Sequence, residues 1–420
     1  MPQTGDLAAG RDEQASSGVF RPHNCFRWHP LARLAGVDRQ KSVPVKNASG
    51  AIPDLPALTA LATAMSLAAD GKAFRVGGGA EPPLSGPQPM FETLTSGTSG
   101  TPRRIWRSQA SWTASFAINA ELFGIGPGTS VAVLGQLIHS LALYGALEAL
   151  HLGATLHLLA DLRPDRQRKT LAASGVDVLY TTPAQARLLA DTAGPDLPAV
   201  RTILIGGSKL GANLRAALEQ MAPNAALHEF YGAAETSFLT LAAPNDPPAS
   251  VGKPYPGVQL DIRGATGRSV PEGDAGEVWA KSPYLFAGYA ADPGSAVWHN
   301  GWLSVAEIGR IEAGYLYLSG RKNRIVQIAD QSVHPEEIET FMATLAGIER
   351  VAALPEPDAK RGTVLVAFAM GDAAQAPAIL LATRARFGPL KSPRRIIWRD
   401  VWPTLGSGKT DLAALGGALE

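Results

Sequence analysis

Cysteine is almost absent from this chain of 420 residues, where Cys25 stands alone. A single thiol forms no internal disulfide, which fits a reducing, cytoplasmic compartment. No motif surrounds Cys25 that would make it a nucleophile. Charge imbalance is also missing: Lys+Arg 38 against Asp+Glu 37 gives a net charge of +1. That balance argues against a nucleic-acid partner. No long apolar run is unbroken. Residues 131–160 come closest, but Gln136, His139, Glu148, His151 and His157 interrupt them. Gly135 and Gly153 divide them into strand, helix and strand, so a buried βαβ unit is expected and no membrane span. Residues 1–22 are polar and lack an apolar core, so they read as a disordered tail rather than a signal peptide.

Two familiar phosphate motifs are absent as well. A Walker A loop needs Gly, four residues, then Gly-Lys-Ser/Thr. Gly408-Lys409-Thr410 resembles its end, but Pro403 stands where the first glycine belongs. No stretch reads Gly-x-Gly-x-x-Gly, so a Rossmann dinucleotide site has no support. No internal repeat is apparent.

What is present is turn chemistry, with Gly 44 and Pro 32, and enough length for two or three domains. The densest feature is the run Thr95, Ser96, Gly97, Thr98, Ser99, Gly100 and Thr101, followed by Arg103 and Arg104. Glycines let the backbone approach a ligand, and free N–H and hydroxyl groups bond phosphate oxygens. Taken alone, such a run is equally a polar surface loop.

A rhythm begins after the loop. Ser111–Phe123 reads as a helix. Strands follow at Val131–Leu134, Thr155–Leu159, Val176–Tyr180, Arg201–Ile205 and Ala226–Phe230. Helices alternate with them at Leu141–Leu150, Arg166–Ala173, Ala184–Ala190 and Leu210–Met221. Alternation predicts an α/β fold with mostly parallel sheets flanked by helices, and ligands beyond the strands' carboxyl ends. Gly206-Gly207 and Tyr231-Gly232 lie at two such ends. Residues 23–92 are weakly patterned apart from a helix at Leu55–Ala69. From Val251 short strands (Val258–Ile262, Gly276–Ala280, Gly314–Leu318) suggest a small barrel-like β-subdomain. Beyond residue 320, Pro335–Leu345 and Ala378–Phe387 read as helices and Thr363–Met370 as a strand, a compact α+β domain.

The order of motifs resembles the adenylate-forming superfamily of acyl-CoA synthetases, peptide-synthetase adenylation domains and luciferases. The loop 95–103 resembles Thr-Ser-Gly-Thr-Thr-Gly-x-Pro-Lys. Tyr231-Gly232-Ala233-Ala234-Glu235-Thr236 resembles Tyr-Gly-x-Thr-Glu. The stretch 301–310 resembles Gly-Trp-Phe-x-Thr-Gly-Asp-x-Gly, with Ala306 and Glu307 at the Gly and Asp positions. Residues 320–339 resemble the hinge motif, and 405–411 the final Pro-x-Ser-Gly-Lys motif. Motifs in this order, across roughly residues 90–412, are more specific than any one alone.

The resemblance implies a large ATP- and acid-binding domain over 23–320, with a reduced first subdomain, and a small mobile domain over 321–420. It implies activation of a fatty or aryl carboxylic acid with ATP and Mg²⁺, then transfer to a thiol, most simply coenzyme A. A carrier-protein ligase and a degenerate nucleotide binder are the alternatives. Thr95, Ser96, Gly97, Thr98, Ser99, Gly100, Thr101 and Arg103 would hold phosphates. Glu235 would hold Mg²⁺, and Glu235, Thr98 and Lys409 would be the catalytic residues. Tyr231 would stack near the adenine, Gly232 and Thr236 would also bind the cofactor, and Gly206 and Gly207 would line the adenine and acid pocket. Glu307 and Arg321 would bind ribose, His139 would gate the acid pocket, and Lys409 would act at the α-phosphate. No Asp lies between Ser130 and Ala160 to hold an ammonium, which disfavours an amino-acid substrate. Arg103 stands in place of Lys, Asn323 in place of the hinge Asp, and Ala329-Asp330 in place of Gly-Gly.

Overall fold

The computed structural model describes residues 25–35, 44, 49–95, 103–329, 331–359, 361–405 and 409–417. The expected tail, Ser96 to Thr101, Asp330 and Gly408 lie outside the described residues. Among the described residues, no helix is long and apolar enough to cross a membrane.

An eight-stranded sheet forms the centre of the large domain. Its order is Arg33–Leu34, Thr155–Leu158, Ser130–Val133, Val178–Thr181, Thr202–Gly206, Ala226–Ala233, Ser237–Ala242 and Lys253–Pro254. The first six run parallel and the last two antiparallel. Every residue of Val178–Thr181 and Thr202–Gly206 is buried, as expected of strands covered on both faces. Their side chains alternate between two cores. Val131, Val133, Val178, Tyr180 and Leu204 face helices Ala110–Phe123 and Ser140–Leu152. Ala132, Leu134, Leu179, Ile203 and Ile205 face helices Pro183–Asp191 and Ala212–Met221.

Helix ends follow local chemistry. Ser140–Leu152 runs beyond its expected end because Gly153, at φ 95, is the residue that turns the chain left-handed. The helix expected from Arg166 starts at Pro164, which suits a first helical position. Pro183–Asp191 opens on a capping box between Thr182 and Gln185.

A second sheet of five strands has the order Gly288–Tyr289, Arg104–Ser108, Met90–Leu94, Phe74–Val76 and Ala51–Ile52. Ala51–Ile52, Phe74–Val76 and the start of Met90–Leu94 fall in residues 23–92, which looked weakly patterned. The reason is buried charge: Arg75 and Glu92 are each 0% exposed and break the apolar alternation, as Arg107 does on the next strand. Arg75 Nη1 lies 2.8 Å from Glu92 Oε2, and Arg104 Nε lies 2.7 Å from the same oxygen.

The β-subdomain is an antiparallel sheet ordered Gln259–Arg263, Gly276–Lys281, Trp302–Glu312 and Trp298–His299, with Tyr315–Arg321 also on Trp302–Glu312. Among the described residues this order is open rather than closed into a barrel. Ala306 takes φ 55 within its long strand. The small domain pairs Ile348–Asp358, Gly362–Gly371 and Ile396–Trp398, with helices Pro335–Met342, Ala376–Lys391 and Leu412–Gly416. The first of these strands had no expectation attached. Ala376–Lys391 is broken at Gly388, where φ is 80 and Pro389 follows. Ala329, at φ 51, turns the hairpin between Val326–Ile328 and Gln331–Val333.

Candidate active site

The hydroxyl-rich run connects two antiparallel strands, Met90–Leu94 and Arg104–Ser108. Its base is pinched shut: Thr95 N donates to Arg103 O at 2.9 Å, and Arg103 N donates to Thr95 Oγ1 at 2.8 Å. The strand leading into it pairs at Leu94 with His139, so the loop's base sits beside the N-terminus of helix Ser140–Leu152. Burial lowers the pKa of His139, which keeps its imidazole neutral at pH 7.

Tyr231 to Ser237 forms the turn between the sixth and seventh strands of the large sheet. The register slips between Tyr231 and Gly232. A side chain at Gly232 would meet Ser237 O at 1.8 Å, so the close approach of the two strands demands glycine there. Thr236 is buried, and its hydroxyl accepts from Ala233 N at 2.9 Å, which engages it within the turn. Glu235 projects from the same turn, and Tyr289 OH donates to its Oε1 at 2.9 Å. Arg103 lies over the Tyr289 ring, 3.3 Å from its centre, and its Nη2 donates to Ser295 at 2.7 Å. Tyr289 therefore joins the loop's base to Glu235. No sequence signal singled it out.

Beneath this turn lies Arg107, fully buried, whose guanidinium reaches Ala234 O at 2.7 Å and Ser237 Oγ at 2.8 Å. Burial lowers its pKa to about 9, against the influence of Tyr144 and Glu235, so it stays charged at pH 7. Arg107 also went unmarked in the sequence.

Glu307 and Arg321 face each other across paired strands, with Arg321 Nε 3.6 Å from Glu307 Oε1. Burial pushes the Glu307 carboxyl up to about 7, although Arg321 pulls it down. Tyr231 stands beside both, its hydroxyl held protonated by burial and by Glu307. Lys409 enters from the small domain. Burial and then Arg321 lower its pKa, while Glu235 and Glu307 oppose them. Glu235, Glu307, Arg321, Tyr231 and Lys409, read from motifs far apart in the chain, are thus brought within electrostatic reach of one another.

Gly206 and Gly207 close the strand beside Tyr231. Gly207 has φ 102, a left-handed conformation that favours glycine. Gly206 is covered by its neighbour: a Cβ there would lie 2.1 Å from the Phe230 ring. Phe230 packs on Phe238 with ring centres 4.5 Å apart, and Phe238 stacks on Tyr255 at 5.0 Å. The face of Gly206 expected to meet the acid therefore carries an aromatic ring of the protein itself.

The chain belongs to the AMP-binding enzyme family, whose profile matches residues 32–290. YhfT of Bacillus subtilis, named as an uncharacterized acyl–CoA ligase, is 33% identical over 333 residues, which are 78% of this chain and 68% of that protein. The amide bond synthetase McbA from Marinactinospora thermotolerans has a similar structure, with TM-score 0.71 and 26% identity over 79% of this chain and 69% of that one. ATP-bound MatB from Rhodopseudomonas palustris shares the fold, with TM-score 0.71 and 22% identity over 84% of this chain and 72% of that one.

Proposed function

We propose that this chain is an AMP-forming acid–thiol ligase: it activates a carboxylic acid with ATP to an acyl-adenylate and passes the acyl group to coenzyme A. The observation that carries the reading is the placement of Lys409, from the small domain, among Glu235, Glu307 and Arg321 of the large one. Nucleotidyl transfer depends mainly on positioning and charge neutralisation. In this reading Ser96, Gly97, Thr98, Ser99, Gly100 and Thr101 hold phosphates, with Arg103 at the loop's base. Glu307 and Arg321 hold the ribose, and Tyr231 and Gly207 border the adenine. Lys409 offers its ammonium to the acid's carboxylate and the α-phosphate.

Among the described residues, no group of three or more His, Cys, Asp and Glu would hold a metal by itself. That suits Mg²⁺, which keeps water and binds through one or two carboxylates plus substrate phosphates. Glu235 would hold the ion, which would supply charge neutralisation for the phosphates.

The test is pyrophosphate release across a panel of acids, with and without CoA. Release that needs a particular acid, and thioester that needs CoA, supports the reading. ATP binding with no acid-dependent release identifies a nucleotide binder instead. An amine acceptor is the second reading, favoured by the likeness to an amide bond synthetase and by Ala329 where thiol-using relatives carry glycine. Adding amines to the same assay separates the two.

Phe230 bounds the acid in this reading. Phe230→Ala is expected to shift preference toward bulkier acids, with kcat/KM rising about tenfold for an acid extended by a methylene or more. An unchanged ranking across the panel would place the acid elsewhere than over Gly206.

A further inference from the structure

We propose that Arg107 is a positioning residue that fixes the Glu235 turn to the strand leaving the phosphate loop, and so sets the metal-binding geometry of the site. The proposal rests on Glu235 as the Mg²⁺ carboxylate. Arg107 lies on Arg104–Ser108, the strand that begins directly after the loop's base at Arg103. Its Nη1 donates to Ala234 O at 2.7 Å, immediately before Glu235. Its Nη2 donates to Ser237 Oγ at 2.8 Å, two residues after Glu235, and also to Tyr284 O. Nε donates to Ser111 Oγ at 3.1 Å. One rigid fork thus brackets Glu235 from both sides.

The bracket is reinforced. Trp112 Nε1 donates to the same Ser237 hydroxyl at 3.1 Å, and Arg107 lies 5.2 Å from the Trp112 ring centre. Ser237 itself is held at φ 56, a conformation that a non-glycine residue keeps only when its surroundings impose it. All four oxygens that Arg107 meets are uncharged. Among the described residues no carboxylate pairs with this buried guanidinium, which is costly, and an apolar side chain of similar size would pack the space more cheaply. Its cation therefore points to a charge-dependent role beside Glu235, which it reaches electrostatically. Lysine cannot replace it, because an ammonium lacks the planar fork that spans both ends of the turn.

The test compares wild type with Arg107→Lys, Arg107→Met and Ser237→Ala. Two readouts are needed: the Mg²⁺ concentration for half-maximal acid-dependent pyrophosphate release, and the thermal shift caused by ATP with Mg²⁺ or with EDTA. Arg107→Met and Arg107→Lys are expected to raise the Mg²⁺ requirement about tenfold or more. They are expected to lose the Mg²⁺-dependent part of the ATP shift while keeping the part seen in EDTA. A purely structural role lowers the melting temperature of the free protein but leaves both Mg²⁺ readouts where they were, and that result overturns the proposal. Ser237→Ala keeps the buried cation and removes one arm of the bracket, so it carries the same test if the arginine variants fail to fold. A wild type that binds ATP equally with and without Mg²⁺ overturns the role of Glu235 and this proposal together. Normal Mg²⁺ dependence in wild type and variants alike overturns this proposal alone.

Discussion

Replacing Lys409 with alanine is expected to cut acyl-adenylate formation by about 10²–10³-fold, the usual loss when one preorganised charge is removed from a developing oxyanion. Acyl transfer from a supplied adenylate should survive far better. The asymmetry follows from where Lys409 sits. It reaches the Glu235, Glu307 and Arg321 cluster from the small domain, so its charge bears on the step that the cluster serves. An interaction made only in the first transition state lowers that rate and leaves the second half-reaction alone. Pre-steady-state pyrophosphate release and thioester formation, measured separately, check this. Equal loss in both would mean general damage. The alkaline limb of adenylation should also fall below the pH of an ordinary lysine, because burial and Arg321 both favour the neutral amine.

The second large effect concerns stability. Glu148, on helix Ser140–Leu152, is 0% exposed. Asn119 Nδ2 donates to its Oε1 at 2.8 Å, Tyr180 OH donates to its Oε2, and Tyr255 OH donates to Asn119 Oδ1 at 2.6 Å. Burial outweighs these bonds and raises its pKa to about 8. The folded state thus holds a proton that the unfolded chain releases near pH 4.5. Stability is full below that pH and falls as pH rises toward 8, because there the folded state binds more protons. Glu148→Gln mimics the neutral carboxyl, with one acceptor and one donor, and Tyr180 needs only to rotate its hydroxyl. The variant should lose this pH dependence and exceed wild type near pH 8 by roughly 4 kcal/mol. Denaturant unfolding at several pH values decides it; parallel curves for the two proteins would refute a neutral Glu148.

The parallel sheet was readable because its strands are short apolar runs between helices with clear caps. Thr202–Gly206 and Pro183–Asp191 fall within one or two residues of expectation. The second sheet was not, since Arg75, Glu92 and Arg107 put ionic pairs and forks where apolar residues usually mark a strand. The site divides the same way. Motif residues such as Glu235, Glu307, Arg321 and Lys409 carried their own spacing. Tyr289, Arg107 and Phe230 act through the partner each meets across the fold, and single residues in unmarked strands reveal nothing of such partners. The covering of Gly206 is a further case: the glycine was legible, but the ring of Phe230 lying on it was not.

Ala306 and Ala329 stand where the motifs they resemble have glycine, and both are held left-handed, at φ 55 and 51. An alanine in that region lies uphill of its right-handed form by roughly 1–2 kcal/mol, a slope that glycine does not have. One lies within the strand Trp302–Glu312, beside Glu307, and the other in the hairpin just past the junction that leads to the small domain. Each is therefore a strained position, kept in place by its surroundings. If the small domain turns between its two half-reactions, any rearrangement that frees either alanine starts with a head start of about fivefold in population for each kcal/mol released. In this chain that slope rests on two methyl groups.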